Sequence, residues 1–355
     1  MRSILLASGL GLVGTLLGTR VAIGVLVRKG YGQYVRDDGP KEHLKKAGTP
    51  TMGGTVIIVA VLLSYAIAHL VFWEPPTASG LLLLFLFTGL GFVGFLDDYI
   101  KISRARSLGL NSRAKLIGQT LVAILFATGS LLLPDARGVT PATHFISFLR
   151  DVQWLALPAV LAVVWMVFVI AAMSNGVNLT DGLDGLATGA STMVFAAYAL
   201  INLWQYNNSC AWATSGPQCY EVRDPYDLAL ISGTLAAACF GFLWWNASPA
   251  KIFMGDTGSL SLGGALAGLA IMTRTEMLVV LLGGLFVIIT MSVVLQVGFF
   301  KLTHGKRLFK MAPLQHHFEM LGWAEVTIVI RFWIICGIFV ALGLSLFYAE
   351  WVVGQ

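Results

Sequence analysis

Residues 154–186 read WLALPAVLAVVWMVFVIAAMSNGVNLTDGLDGL, and the reading of this stretch decides the fold class. Its first part, 154–173, carries no charge and is long enough to cross the roughly 30 Å hydrocarbon core of a bilayer as a helix. Hydrocarbon offers no partner to a backbone amide, so a span of this length and apolarity satisfies its amides within itself, as a helix does and a lone strand does not. The residues that follow change character at once: Asn175, Asn178, Asp181 and Asp184 appear among Gly176, Gly182 and Gly185. A membrane helix therefore ends in a loop rich in amides and acids.

Outward from this segment, apolar runs recur at 3–27, 53–72, 80–96, 116–133, 186–204, 227–245, 259–273, 277–299 and 327–348, which with 154–173 makes ten expected spans. The composition agrees: 57% of the 355 residues are hydrophobic and 12% are charged, against roughly one-quarter charged in a soluble domain. Mean hydropathy is +0.80. The first run is followed directly by Arg28 and Lys29 with no small-residue cleavage site, so it reads as an anchor rather than a signal peptide. The expected fold is an all-α integral membrane protein of about ten transmembrane helices, a single polytopic domain over 1–355. No convincing internal repeat is found, which weighs against the inverted-repeat plan of many transporters.

Ten spans place both termini on one side, and the distribution of Lys and Arg decides which. Sixteen of the 23 basic residues fall in one set of loops, around 28–46, 101–115, Lys251 and 301–310, against five in the other set. The basic loops are assigned to the cytoplasm and both termini to the outside. The net charge of +5 is thus concentrated on one face, where it meets anionic lipid or an anionic substrate. Short, separated basic loops are a poor match to nucleic acid.

The chemically informative residues gather on that same face. Asp97 and Asp98 end the third span in GFLDDYIK, the Asn/Asp loop follows the fifth, Asp256 stands in KIFMGDTGS, and His316 and His317 stand in MAPLQHHFE. Carboxylates at a low-dielectric boundary need cations, and hard oxygen donors suit Mg²⁺ that keeps waters and binds substrate phosphates. Zinc fits less well, because no cysteine accompanies the histidines. Asn178, Asp181 and Asp184, spaced by three, are expected along one helical face. Gly255 and Gly258 flank Asp256 before a span, and GTPTMGG opens the second span. Both are places where free backbone amides would receive phosphate oxygens. Glycines within the apolar helices, such as Gly94, are read as packing residues only. His69 and His144 are expected as surface residues of the opposite face. Cys210 and Cys219 are expected to pair in the external loop, and Cys239 and Cys336 to act as small apolar fillers.

Taken together and in this order, TPTMGG, GFLDDY, NGVNLTDGLDGL, FMGDTGS and MAPLQHHFE resemble the phospho-N-acetylmuramoyl-pentapeptide transferase (MraY) family, within the polyprenyl-phosphate N-acetylhexosamine-1-phosphate transferases. The resemblance covers nearly the whole chain. It implies Mg²⁺-dependent transfer of phospho-MurNAc-pentapeptide from its UDP carrier to undecaprenyl phosphate, giving lipid I and UMP. It further implies a homodimer in the bacterial cytoplasmic membrane, with a role in peptidoglycan synthesis. By the same resemblance, Asp97, Asp98, Asp256, His316 and His317 are the catalytic candidates, with Asp256 the metal ligand. Lys46, Thr51 and Lys115 would hold phosphates, and Phe253 would stack on uracil. Lys101, Asn175, Asn178, Asp181, Asp184, Asn246 and Gln296 would line the nucleoside and sugar site. One departure stands out: Gln315 occupies a position where many relatives read histidine, so any role there rests on hydrogen bonding. Two rival functions remain, a GlcNAc-1-phosphate transferase of the same superfamily and a transporter. Transport commonly places its ionisable groups near the bilayer midplane, whereas here they lie at span ends.

Overall fold

The computed structural model describes residues 1–32, 48–104, 109–212 and 218–353. The chain is a helical bundle of α1 (Arg2–Arg28), α2 (Gly54–Phe72), α3 (Ala78–Ser103), α4 (Ser112–Leu132), α5 (Ala159–Thr180), α6 (Leu186–Asn207), α7 (Pro225–Asn246), α8 (Gly255–Met272), α9 (Leu278–Leu282), α10 (Gly284–Leu302), α11 (Leu314–Glu319) and α12 (Glu325–Val353). Among the described residues, nine of these are long and apolar enough to cross a membrane: α1 to α7, α10 and α12. The tenth expected span is α8, which runs through the interior of the bundle. Its residues from Thr257 to Met272 are all buried. Enclosed by protein, α8 needs no lipid-facing apolar surface, and its glycines and serines lower its hydropathy accordingly.

Three boundaries differ from the sequence reading, each for a local reason. Residues 154–156 are not helical but belong to strand β2 (Asp151–Ala156), paired antiparallel with β1 (Phe145–Ser147). Pro158, which has no amide to donate, caps the start of α5. The run at 277–299 is broken at Gly283 into α9 and α10, where a Cβ on Gly284 would lie 2.5 Å from the Phe339 ring of α12. Helix α3 continues past the expected end of its span to Ser103, so Asp97 and Asp98 sit inside its final turns.

α8 is the hub against which α3 and α5 pack, and small residues set the distance. A Cβ on Gly94 of α3 would lie 2.1 Å from the Asp256 carbonyl oxygen, and one on Gly54 of α2 would lie 2.1 Å from the Gly258 amide nitrogen. Both helices thus touch the start of α8 backbone to backbone. Gly94, read from the sequence as a packing residue only, is what brings the acidic ends of α3 and α8 together.

The far end of the bundle is tied by polar crosslinks. The Arg150 guanidinium meets Glu350 at 2.6 Å, donates to the carbonyls of Cys219 and Gln218, and lies 4.0 Å from the Tyr220 ring centroid. The Met1 amino group donates to the Tyr226 hydroxyl near the start of α7. His69 departs from its expected surface placement: its ring is 10% exposed and bonds Asp227 at 3.0 Å and the Glu74 carbonyl at 2.8 Å. The cause is Asp227, a carboxylate at the start of α7 that also accepts from Tyr65 and Thr77 and draws the ring inward. Cys210 and Cys219 form the disulfide expected of them, while Cys239 and Cys336 are buried free thiols.

Two outcomes follow. Gly94→Ala should cost about 1–3 kcal/mol as α3 is pushed off α8. Gly9→Ala, at a helical site with nothing within 4 Å of the added methyl, should be neutral or stabilise by up to about 1 kcal/mol. Equal thermal unfolding midpoints in detergent would contradict the α3–α8 contact. Alkylation of denatured protein should count two thiols before reduction and four after it.

Candidate active site

Helices α3, α4, α5 and α8 bring the polar ends predicted from sequence into one cluster. The carboxylates of Asp97, Asp98 and Asp256 each offer an oxygen within 4.8 Å of the others. Lys101, one turn beyond Asp97 on α3, lies 2.5 Å from Asp97 and 2.8 Å from Asp256. Lys115 of α4 reaches the same Asp256 oxygen at 2.8 Å. The other Asp256 oxygen accepts from Asn178 at 2.6 Å, and the Asn178 amide also donates to Ser259. Asp97 further accepts from the Leu110 amide at 2.8 Å. Three carboxylates facing two ammonium groups leave one net negative charge. Their donor set is hard oxygen, with both histidines on another element. These residues fit a hard dication such as Mg²⁺ and do not resemble a zinc site.

Asp98 does something different. Its carboxylate accepts from the Asp256 amide at 3.2 Å, the Thr257 amide at 2.9 Å and the Thr257 hydroxyl at 2.7 Å. It therefore caps the N-terminus of α8 from a neighbouring helix, satisfying amides that a helix start leaves without partners. This alters one expectation, since the first-turn amides that would have met a substrate phosphate are already taken. The amides of Gly53 and Gly54 are committed likewise, to the carbonyls of Phe253 and Met254.

The Asn/Asp loop divides. Asn175 and Asn178 share a face of α5, but the helix ends at Thr180, and Asp184 turns away to accept from the Ala250 amide. Asp181 follows the last turn. Burial, then the charges of Asp256, Asp98 and Asp184, holds its carboxyl well above the usual range. Thr51 is buried against Gly255. Phe253 is partly exposed beside the cluster. Asn246 is fully committed, accepting from Thr188 and donating to the Ile252 carbonyl. Gln296 pins the loop after α10 through bonds with Leu308 and Phe309.

Gln315 is buried and donates to the Leu179 carbonyl. His316 donates to Glu319 at 2.5 Å and abuts Gly182, and His317 accepts from the Lys310 amide. Gln315 and His316 lie against Gly182 in the Asp181–Asp184 loop rather than in the carboxylate cluster, and His317 packs against the Phe309 and Phe318 rings. Lys46 lies outside the described residues. Thr257, Ser259 and Gln119 were missed in the sequence reading. Gln119 did carry a signal, as a lone amide one turn after Lys115 in an otherwise apolar helix.

Residues 80–274 match the family described as Glycosyl transferase family 4, and residues 46–58 match phospho-N-acetylmuramoyl-pentapeptide-transferase signature 1. The chain is 63% identical over 356 residues to a phospho-N-acetylmuramoyl-pentapeptide-transferase of Cutibacterium acnes, covering 100% of both chains. It is 64% identical over 363 residues to one from Kineococcus radiotolerans, again over 100% of both. A third relative, from Streptomyces avermitilis, is 62% identical over 354 residues and 99% of each chain.

Thr257→Val keeps the side-chain shape and deletes the hydroxyl bond to Asp98, so it should cost about 1.5–3 kcal/mol, as for a bond to a charged acceptor. A melting point equal to that of the unaltered protein would contradict the capping role of Asp98.

Proposed function

The chain belongs to the phospho-N-acetylmuramoyl-pentapeptide transferase family, and from that we infer that its carboxylate–lysine cluster transfers phospho-MurNAc-pentapeptide from UDP-MurNAc-pentapeptide to undecaprenyl phosphate, giving lipid I and UMP. The observation that carries this reading is the convergence of Asp97, Asp98, Asp256, Lys101 and Lys115 from three helices at one end of the bundle. The protein is a multi-pass enzyme of the bacterial cytoplasmic membrane. By sequence, sixteen of the 23 basic residues fall in the set of loops that also carries Lys101 and Lys115, which supports placing the site at the cytoplasm with both termini outside. A homodimer is proposed from the family resemblance.

In this reading a phosphate oxygen of the lipid attacks the β-phosphorus of the sugar nucleotide. The bond to the bridging oxygen breaks, and UMP departs with that oxygen. The acceptor already carries its nucleophile, so alignment and charge neutralisation are the main demands. Asp256, with Asp97 beside it, would hold Mg²⁺. When bound there, the ion supplies positive charge to the pyrophosphate. Lys101 and Lys115, displaced from Asp256 as substrate enters, would meet phosphate oxygens. Lys46 and Thr51 are proposed for the same task. Asp97 would position the lipid phosphate or accept its proton, and Asp98 keeps Asp256 in place. Phe253 is proposed to stack on uracil. Asn175, Asn178 and Asp181, each partly exposed, are proposed as sugar and nucleoside contacts. Asp184, Asn246 and Gln296 would shape that site through the backbone they hold. Gln315, His316 and His317 would act from the loop wall.

Detergent-purified protein should release UMP only when UDP-MurNAc-pentapeptide, undecaprenyl phosphate and Mg²⁺ are all present. Asp256→Asn should lower the rate by about 10²–10³-fold or more, and EDTA should abolish release until Mg²⁺ is restored. Release from UDP-GlcNAc in place of the muramoyl donor would assign the chain to the GlcNAc-1-phosphate branch. Folded protein that releases UMP from neither donor would remove the transferase reading.

A further inference from the structure

The seam between α4 and α5 carries two polar rungs in otherwise apolar surroundings. The upper rung is Lys115 and Asn178, both bonded to Asp256. The lower rung is Gln119 and Asn175, about one helical turn further into the membrane on each helix. Beyond it the buried face of α4 continues as Ala123, Phe126 and Ala127, with Ser130 near the far end of the helix.

The hydrogen-bond directions on the lower rung follow from one backbone group. The Ala171 carbonyl is an acceptor only, so the Asn175 side chain must turn its amide nitrogen toward it, at 2.8 Å. That nitrogen also donates to the Gln119 carbonyl oxygen at 3.2 Å. The orientation of Gln119 is thereby fixed, with its amide nitrogen directed away from Asn175. This nitrogen is buried and has no protein partner, while the residue as a whole is only 3% exposed. Buried donors are almost always paired, so a donor held in this orientation without an acceptor points to one that comes from outside the chain. Lys115, Asn175 and Asn178 around this buried nitrogen are each partly exposed, so a phosphate that displaces them slightly would reach it. The adjoining face of α4 presents Leu116 and Ile117 to hydrocarbon.

Resting on the transferase reading, we propose that the Gln119 amide donates to the phosphate of the polyprenyl acceptor, so that the α4–α5 seam is the subsite where the lipid's phosphate meets the enzyme. A phosphate monoester brings acceptor oxygens and negative charge, which the Gln119 donor and the Lys115 ammonium complement. Its hydrocarbon tail suits the exposed apolar face of α4 at Leu116, Ile117, Leu121 and Ile124.

Gln119→Leu and Gln119→Glu separate a subsite from a structural amide. The leucine variant should raise the KM for undecaprenyl phosphate by roughly tenfold or more, with the KM for UDP-MurNAc-pentapeptide unchanged. The glutamate variant, setting a carboxylate against the phosphate, should raise it further. Binding of undecaprenol, which lacks the phosphate, should be the same in the leucine variant as in the unaltered protein. An unchanged KM for undecaprenyl phosphate, or parallel shifts in both KM values and in undecaprenol binding, would overturn the proposal. If the unaltered protein transfers nothing, yet prefers undecaprenyl phosphate to undecaprenol and loses that preference in Gln119→Leu, the transferase reading fails and the subsite stands.

Discussion

The bond from the Asp98 carboxylate to the first turn of α8 is the interaction on which the site depends. It settles two burial problems at once. A carboxylate removed from water is costly unless hydrogen-bonded, and the amides at a helix start have no partner within their own helix. Asp98 meets both needs, and the partial positive charge at the start of α8 suits the anion it receives. The bond requires α3 and α8 to touch backbone to backbone, so Gly94 follows from it: any side chain there would collide with the Asp256 carbonyl. Asp97, the preceding residue, leaves α3 about 100° away around the helix and is free to face Lys101 and the Leu110 amide instead.

With the start of α8 fixed, the direction of Asp256 is fixed as well, and the electrostatics follow. Three carboxylates so close together would repel one another strongly in a low-dielectric setting. Lys101 and Lys115 offset most of that repulsion and leave a single negative charge. The balance lets the protein alone tolerate the cluster while leaving a net charge of the sign that a dication complements. At the far end of the bundle the polar groups are arranged otherwise. Arg150 with Glu350 and His69 with Asp227 are matched pairs that close the structure, and the Cys210–Cys219 bond reinforces the same face.

Much of this was legible in the sequence, because hydrophobic run length and helix-end polarity are local properties. The class of fold, the helical nature of every span, the gathering of Asp97, Asp98, Lys101, Lys115, Asn178 and Asp256, and the disulfide were all accessible in that way. What was not legible depends on tertiary partners. Nothing local distinguishes Asp98, which caps another helix, from Asp97, which meets a lysine. Residues 154–156 pass for helix because Trp154, Leu155 and Ala156 are apolar and run directly into the span, and only Pro158 separates them from α5. His69 looked exposed because its partner Asp227 lies far away in sequence. Likewise, the anticipated phosphate-binding amides of α8 looked free because the side chain that claims them comes from α3.

The polar residues at the site end fall into two physical groups that sequence pattern alone does not separate. Asn246, Asp184 and Gln296 spend their polar atoms on backbone groups of neighbouring segments. They set where loops lie, and substrate feels them through that placement. Asp97, Asp256, Lys101 and Lys115 are bonded chiefly to one another, so a charged substrate can exchange those bonds without unmaking secondary structure. A site for a pyrophosphate needs both kinds: an exchangeable set of charges, and a frame whose hydrogen bonds do not compete for the ligand. Gln119 belongs to neither group, since one end of its amide is held by Asn175 and the other has no protein partner. That half-committed state sets it apart from the frame residues around it.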